Sequence, residues 1–133
     1  MNIRLGCVAA ISAMLSAIML HAEAPFNFES TPGKLPKDVV PNSYDIKLKP
    51  NIEKLTFTGS ETVVLGVRKP VKTITLNVNT MTIRSAKLLR ADGKVEQGAR
   101  VAIDAKEQTA TLTFDNEIPS GQHQVSIDFR GKD

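Results

Sequence analysis

From Ser43 to Phe129 the apolar residues recur at every second position, and no part of that span repeats at 3.6 residues. A period of two sends successive side chains to opposite faces of an extended chain, so the pattern specifies strands and excludes amphipathic helices. Tyr44, Ile46 and Leu48 alternate with Ser43, Asp45, Lys47 and Lys49, and Pro50-Asn51 closes the run. Phe57, Val63, Leu65 and Val67 share a face with Gly59 and Glu61. A glycine inside a strand predicts a bulge or a close backbone approach. After a turn at Arg68-Lys69-Pro70, Ile74, Leu76 and Val78 alternate with Thr73, Thr75 and Asn77. Met81, Ile83, Leu88 and Leu89 mark another strand, with a phase slip near Ser85-Ala86, and Asp92-Gly93 is a turn signal. Val101 and Ile103 match Ala110, Leu112 and Phe114 across the polar loop Ala105–Gln108, which predicts a hairpin. A turn at Pro119-Ser120-Gly121 leads to the last strand, with Val125, Ile127 and Phe129 on one face. About seven short strands joined by turns predict an all-β fold, an antiparallel sandwich or saddle. Alternating faces fit antiparallel sheets with one solvated side.

The segments before Ser43 follow other rules. Met1 to Arg4 is short and basic, and Leu5–Leu20 is apolar apart from Ser12 and Ser16. That run is shorter than the roughly 20 residues of a membrane-spanning helix. Small residues follow at Ala22 and Ala24. Residues 1–22 are therefore expected to be a signal-peptide helix, cleaved after Ala22. Cleavage after Ala24 satisfies the small-residue rule but leaves Pro25 beside the cut. The expectation is an exported protein, periplasmic or extracellular, with no membrane span after cleavage. Cys7, the sole cysteine, departs with the leader. Neither disulfides nor a thiolate nucleophile are then expected, so stability must come from apolar burial. Residues 23–41 contain Pro25, Pro32, Pro36 and Pro41 and predict an extended lead-in. Residues 42–133 make one small β domain.

Reactive groups are sparse. A zinc site needs three or four protein ligands. Of two histidines, His21 leaves with the leader and His123 stands alone beside a turn. The sequence contains no HExxH pair and no GxSxG elbow. Asp115-Asn116-Glu117 lacks the spacing of a calcium loop and reads as a solvated turn. Thr109, Thr111 and Thr113 read as the wet face of a strand. A net charge of +3 is scattered along the chain, and with no tryptophan and one tyrosine there is no stacking platform for nucleic acid. No catalytic, metal-binding or substrate-binding residue and no cofactor are expected in this chain. Glu61 is the odd residue: its phase puts a carboxylate on the apolar face beside Phe57 and Val63. Such a group requires a basic partner or a local bulge, or else serves a function.

The run Leu35–Pro50, LPKDVVPNSYDIKLKP, resembles the opening of the aminopeptidase N family of zinc metallopeptidases, whose amino-terminal β domain begins LP…V.P..Y.L.L.P. The likeness continues in order. Leu55–Ser60 resembles the family's F.G strand, and Thr73–Leu76 followed by Met81–Ile83 resembles its I.LH…L.I stretch. Ile118–Gly121 with Val125–Gly131 resembles its G…L.I.F.G strand. Two positions depart: Asn77 stands where the family usually has histidine, and Glu61 where it usually has an apolar residue. The family also continues past the position of Gly131 into a further strand.

The resemblance implies a partial amino-terminal β domain whose partner is a missing catalytic domain of the same family. An intact parent would bind one zinc through two histidines and a glutamate. Another glutamate would activate water, and peptides would lose their amino-terminal residues. None of the family's catalytic or metal residues has a counterpart here. Zinc and peptide substrate would belong to the parent, and this chain alone would be inert. The alternative is a stand-alone exported β-sandwich that serves as a binding module.

Overall fold

The computed structural model describes residues 25–132. The signal peptide expected at 1–22 lies outside them. Residues 25–31 belong to a small unit, Met1–Thr31, and the remainder of the chain forms a second. Within the first, Asn27 organises a turn. Its Oδ1 accepts from the backbone amide of Glu29 at 2.9 Å, and its carbonyl accepts from the amide of Thr31 at 3.0 Å. The lead-in is thus not extended throughout, because an asparagine side chain can close a local turn with nearby backbone amides.

The second unit contains seven strands: β1 (Val39–Asn51), β2 (Thr56–Val67), β3 (Val71–Asn77), β4 (Met81–Leu89), β5 (Val95–Asp104), β6 (Thr109–Ile118) and β7 (Gly121–Lys132). Every pairing is antiparallel, and the spatial order is β1-β2-β7-β4-β5-β6-β3. The all-β, antiparallel expectation holds, as does the number of strands. The first strand begins at Val39 rather than at Ser43, and its register shifts between Pro41 and Ser43. Proline lacks the amide that a ladder needs, so β1 accommodates Pro41 as an edge strand with an irregularity there.

The anticipated hairpin forms, with Val101 opposite Leu112 and Ile103 opposite Ala110. Its loop is built like the one joining β1 to β2. Asp104 Oδ1 accepts from the Glu107 amide at 2.9 Å, and Asn51 Oδ1 accepts from the Lys54 amide at 3.0 Å. Each loop ends on a residue with positive φ, Gln108 at 55° and Leu55 at 46°. The phase slip near Ser85 is a register shift between Ile83 and Ser85 in the β4–β7 ladder. The extra residue returns Ala86 and Leu88 to the apolar face.

Leu88, Leu112, Phe114, Ile118 and Val125 are almost wholly buried. They join Val63, Leu65, Ile74, Ile127 and Phe129 in one cluster. Residues from β3 and β6, at one end of the strand order, share this core with residues from β2, β7 and β4. A flat sheet would hold those strands apart, so the sheet curls and one part of it roofs another. On the outer face Thr73 pairs with Thr113 and Thr75 with Thr111. These threonines form a cross-strand ladder behind the fully buried Ala110, Leu112 and Phe114. Thr109, Thr111 and Thr113 are half-buried rather than fully wet.

Candidate functional site

Residues directly opposite in antiparallel strands share a face, so the register defines rows across the sheet. One row runs Tyr44, Val63, Val125, Leu88; the next runs Ile46, Glu61, Ile127, Ala86; a third runs Leu48, Gly59, Phe129, Ile83. Each row passes from solvent into the core. Leu88 is 1% exposed and Val125 1%, whereas Tyr44, Ile46 and Leu48 are 58%, 53% and 62% exposed. The roof formed by β3 and β6 stops short of β1. What remains is an open groove of about 300 Å³ on the core-side face, lined by residues of β1, β2, β7, β4, β3 and β6 together with Leu35 and Pro36.

Gly59 sits at the border between the open and roofed parts. A Cβ there would lie 2.6 Å from Phe129 Cζ and 2.8 Å from the Lys47 carbonyl oxygen. Close approach is therefore the reason for this glycine, and the β1–β2 register runs unbroken past it. The arrangement is reciprocal: the Phe57 ring covers Gly131 on the partner strand. The two rings meet edge to face, with centroids 6.3 Å apart at 74°.

Glu61 satisfies neither structural expectation. Strand β2 does not bulge there, and among the described residues no basic side chain forms an ion pair with it. Its carboxyl group is half-buried on the groove wall. Desolvation raises its pKa above the ordinary carboxylate value. Tyr44 is displaced in the same sense, first by desolvation and then by the charge of Glu61. Asn77 lines the same groove, so both departures from the family pattern fall on one surface.

Other polar residues are occupied elsewhere. His123 Nε2 donates to the Pro119 carbonyl at 2.8 Å, which ties the ring to its turn. In the acidic cluster Asp115 pairs with Arg100. Asn116 exchanges two bonds with the Gln97 amide group, at 3.0 and 3.1 Å. On the outer face Ser85 Oγ donates to Asp128 Oδ2 at 2.7 Å. Sequence reasoning placed Glu61 on the apolar face but did not foresee the groove, because alternation does not reveal which stretch of a face is left uncovered.

Residues 40–133 match the model of the peptidase M1 N-terminal domain. This chain belongs to the M1 peptidase family. The M1 match covers all seven strands except the first residue of β1. The chain is 37% identical over 112 residues to aminopeptidase N of Acetobacter pasteurianus, covering 83% of this chain and 30% of that protein. It is 33% identical over 99 residues to aminopeptidase 2 of Candida albicans, covering 74% of this chain and 10% of that one. An M1 zinc metallopeptidase from Deinococcus radiodurans shares the fold, with a TM-score of 0.57 and 19% identity over 74% of this chain and 21% of its own. The chain thus spans less than a third of each of these M1 relatives.

The family name implies zinc, but the residues of this domain do not fit it. Among the described residues no three His, Cys, Asp or Glu side chains are grouped to hold a metal ion. The His123 nitrogen that meets Pro119 is already committed to a carbonyl.

Proposed function

We propose that this chain is the non-catalytic amino-terminal β domain of an exported zinc aminopeptidase. The M1 N-terminal domain match over residues 40–133 carries that reading. The rest of the enzyme supplies the zinc-bearing catalytic domain, and the intact protein removes amino-terminal residues from peptides. This domain contributes a packed β scaffold and one uncovered apolar face. The bare flank of Tyr44, Ile46 and Leu48 supports this reading over a self-sufficient exported sandwich, which would cover such a face.

A chimera tests the reading. Residues 40–133 of this chain replace the matching segment within the Acetobacter aminopeptidase N. Zinc-dependent release of amino-terminal residues by the folded chimera is the expected result, and a folded but inactive chimera contradicts it. Export rests on the leader at residues 1–22. Sequencing the amino terminus of the secreted chain should find Glu23 first, or Pro25 for the second cleavage site. An intact Met1 on a cytoplasmic protein contradicts export.

A further inference from the structure

The groove carries a lone carboxylate on an otherwise largely apolar wall. Across the strands Glu61 is flanked by Ile46 and Ile127, and along its own strand by Gly59 and Val63 on the same face. None of these four can neutralise it. No cation among the described residues pairs with it, and it is half-buried. A carboxylate in this setting is unfavourable until a cation arrives that hydrogen-bonds to it.

The surrounding shape restricts what brings that cation. Ile46 is 53% exposed and Leu48 62%, and together with Tyr44 they occupy alternate positions of β1. Strand β1 pairs with β2 and ends the sheet order, so among the described residues no strand lies along its outer backbone edge. An extended segment with apolar side chains at matching intervals covers such a stripe. We propose that the groove docks an extended polypeptide segment bearing an arginine or lysine between apolar side chains, with the cation seated on Glu61. Arginine suits the position well, because its planar fork bonds both carboxylate oxygens. An acidic residue at the same place is rejected by like charge. The inference rests on the function proposed above in one respect: the remainder of the metallopeptidase supplies the segment.

Tyr44 makes the test direct. It is the sole tyrosine, and the chain has no tryptophan, so tyrosine emission reports this groove alone. Three acetylated and amidated pentapeptides serve as probes: valine-leucine-X-leucine-valine, with arginine, glutamine or glutamate at X. Titrated into the full chain, the arginine peptide should bind roughly tenfold tighter than the glutamine peptide, and the glutamate peptide weakest. In Glu61→Gln the arginine and glutamine peptides should bind alike, and Glu61→Leu should behave in the same way. A thermal melt confirms that each variant is folded. Ile46→Ser, which removes apolar surface and adds no charge, should weaken all three peptides. Equal binding of the three, no binding of any, or an ordering that survives in both Glu61 variants overturns the proposal. If the chimera is active and the ordering is absent, the docking chemistry fails and the M1 reading stands. If the chimera is inactive and the ordering is present, the reverse holds.

Discussion

The roofed core around β4 and β6 and the open flank on β1 obey the same sequence rule and reach opposite fates. Leu88 and Leu112 are 1% and 0% exposed, whereas Ile46 and Leu48 are 53% and 62% exposed. All four are the apolar members of alternating strands. The difference is the roof: β3 and β6 fold over one part of the curled sheet and leave Tyr44, Ile46 and Leu48 of β1 exposed. Alternation specifies which face of a strand is apolar, and topology decides whether anything covers it. Burial then sets the energetic weight of a side chain, so the two regions should respond differently to the same kind of substitution.

Truncation in the roofed region should have the largest effect. Leu112→Ala removes a fully buried side chain and should cost about 2–5 kcal/mol, read from denaturant unfolding. A cost near zero would mean that the roof does not close in solution. Gly59→Ala probes the border. Its Cβ meets the Phe129 ring and the fixed Lys47 carbonyl, so about 1–3 kcal/mol should be lost. The same substitution at Gly98, where a Cβ has open space, should not incur that overpacking cost. Leu48→Lys, on the bare flank, should change stability by no more than about 0.5 kcal/mol.

The smallest effect concerns Glu61. Its pKa is raised in the fold, so the folded chain holds its proton to higher pH than the unfolded chain does. Stability should therefore fall as pH rises from the ordinary carboxylate value through the raised one, and level off above it. Solvent at the half-open groove screens the effect, which should stay within about 0.5 kcal/mol. Glu61→Gln should remove that portion of the pH dependence in thermal melts taken across the acid range. A steeper slope in the variant would contradict the assignment.

Much of the fold was legible because strands announce themselves locally. The β5–β6 hairpin was readable from Val101, Ile103 and the Ala110–Phe114 alternation, and the slip at Ser85 from a break in phase. The position of β7 between β2 and β4 was not readable, since pairing partners distant in sequence leave no local mark. The same non-local fact hid the groove. Glu61 stood out by phase alone, but its true setting, unbulged and unpaired, depended on where the roof ends. Gly59 was anomalous in the sequence, and the Phe129 ring and the Lys47 carbonyl on the strands either side explain it. The turn at Asn27 escaped notice because a proline-rich stretch reads as extended, although one asparagine can close a turn within it.

We propose that the β1 flank, bare among the described residues, is a docking face that the remainder of the enzyme covers. Fluorine NMR of the chain labelled with 3-fluorotyrosine tests it most directly, because Tyr44 gives the only signal. The labelled chain is recorded alone, and then with unlabelled Acetobacter aminopeptidase N lacking its matching segment. A soluble paramagnetic agent reads exposure in both states. Strong broadening in the free chain that disappears on mixing is the predicted result. A signal shielded in the free chain, or one equally broadened after mixing, would contradict the account.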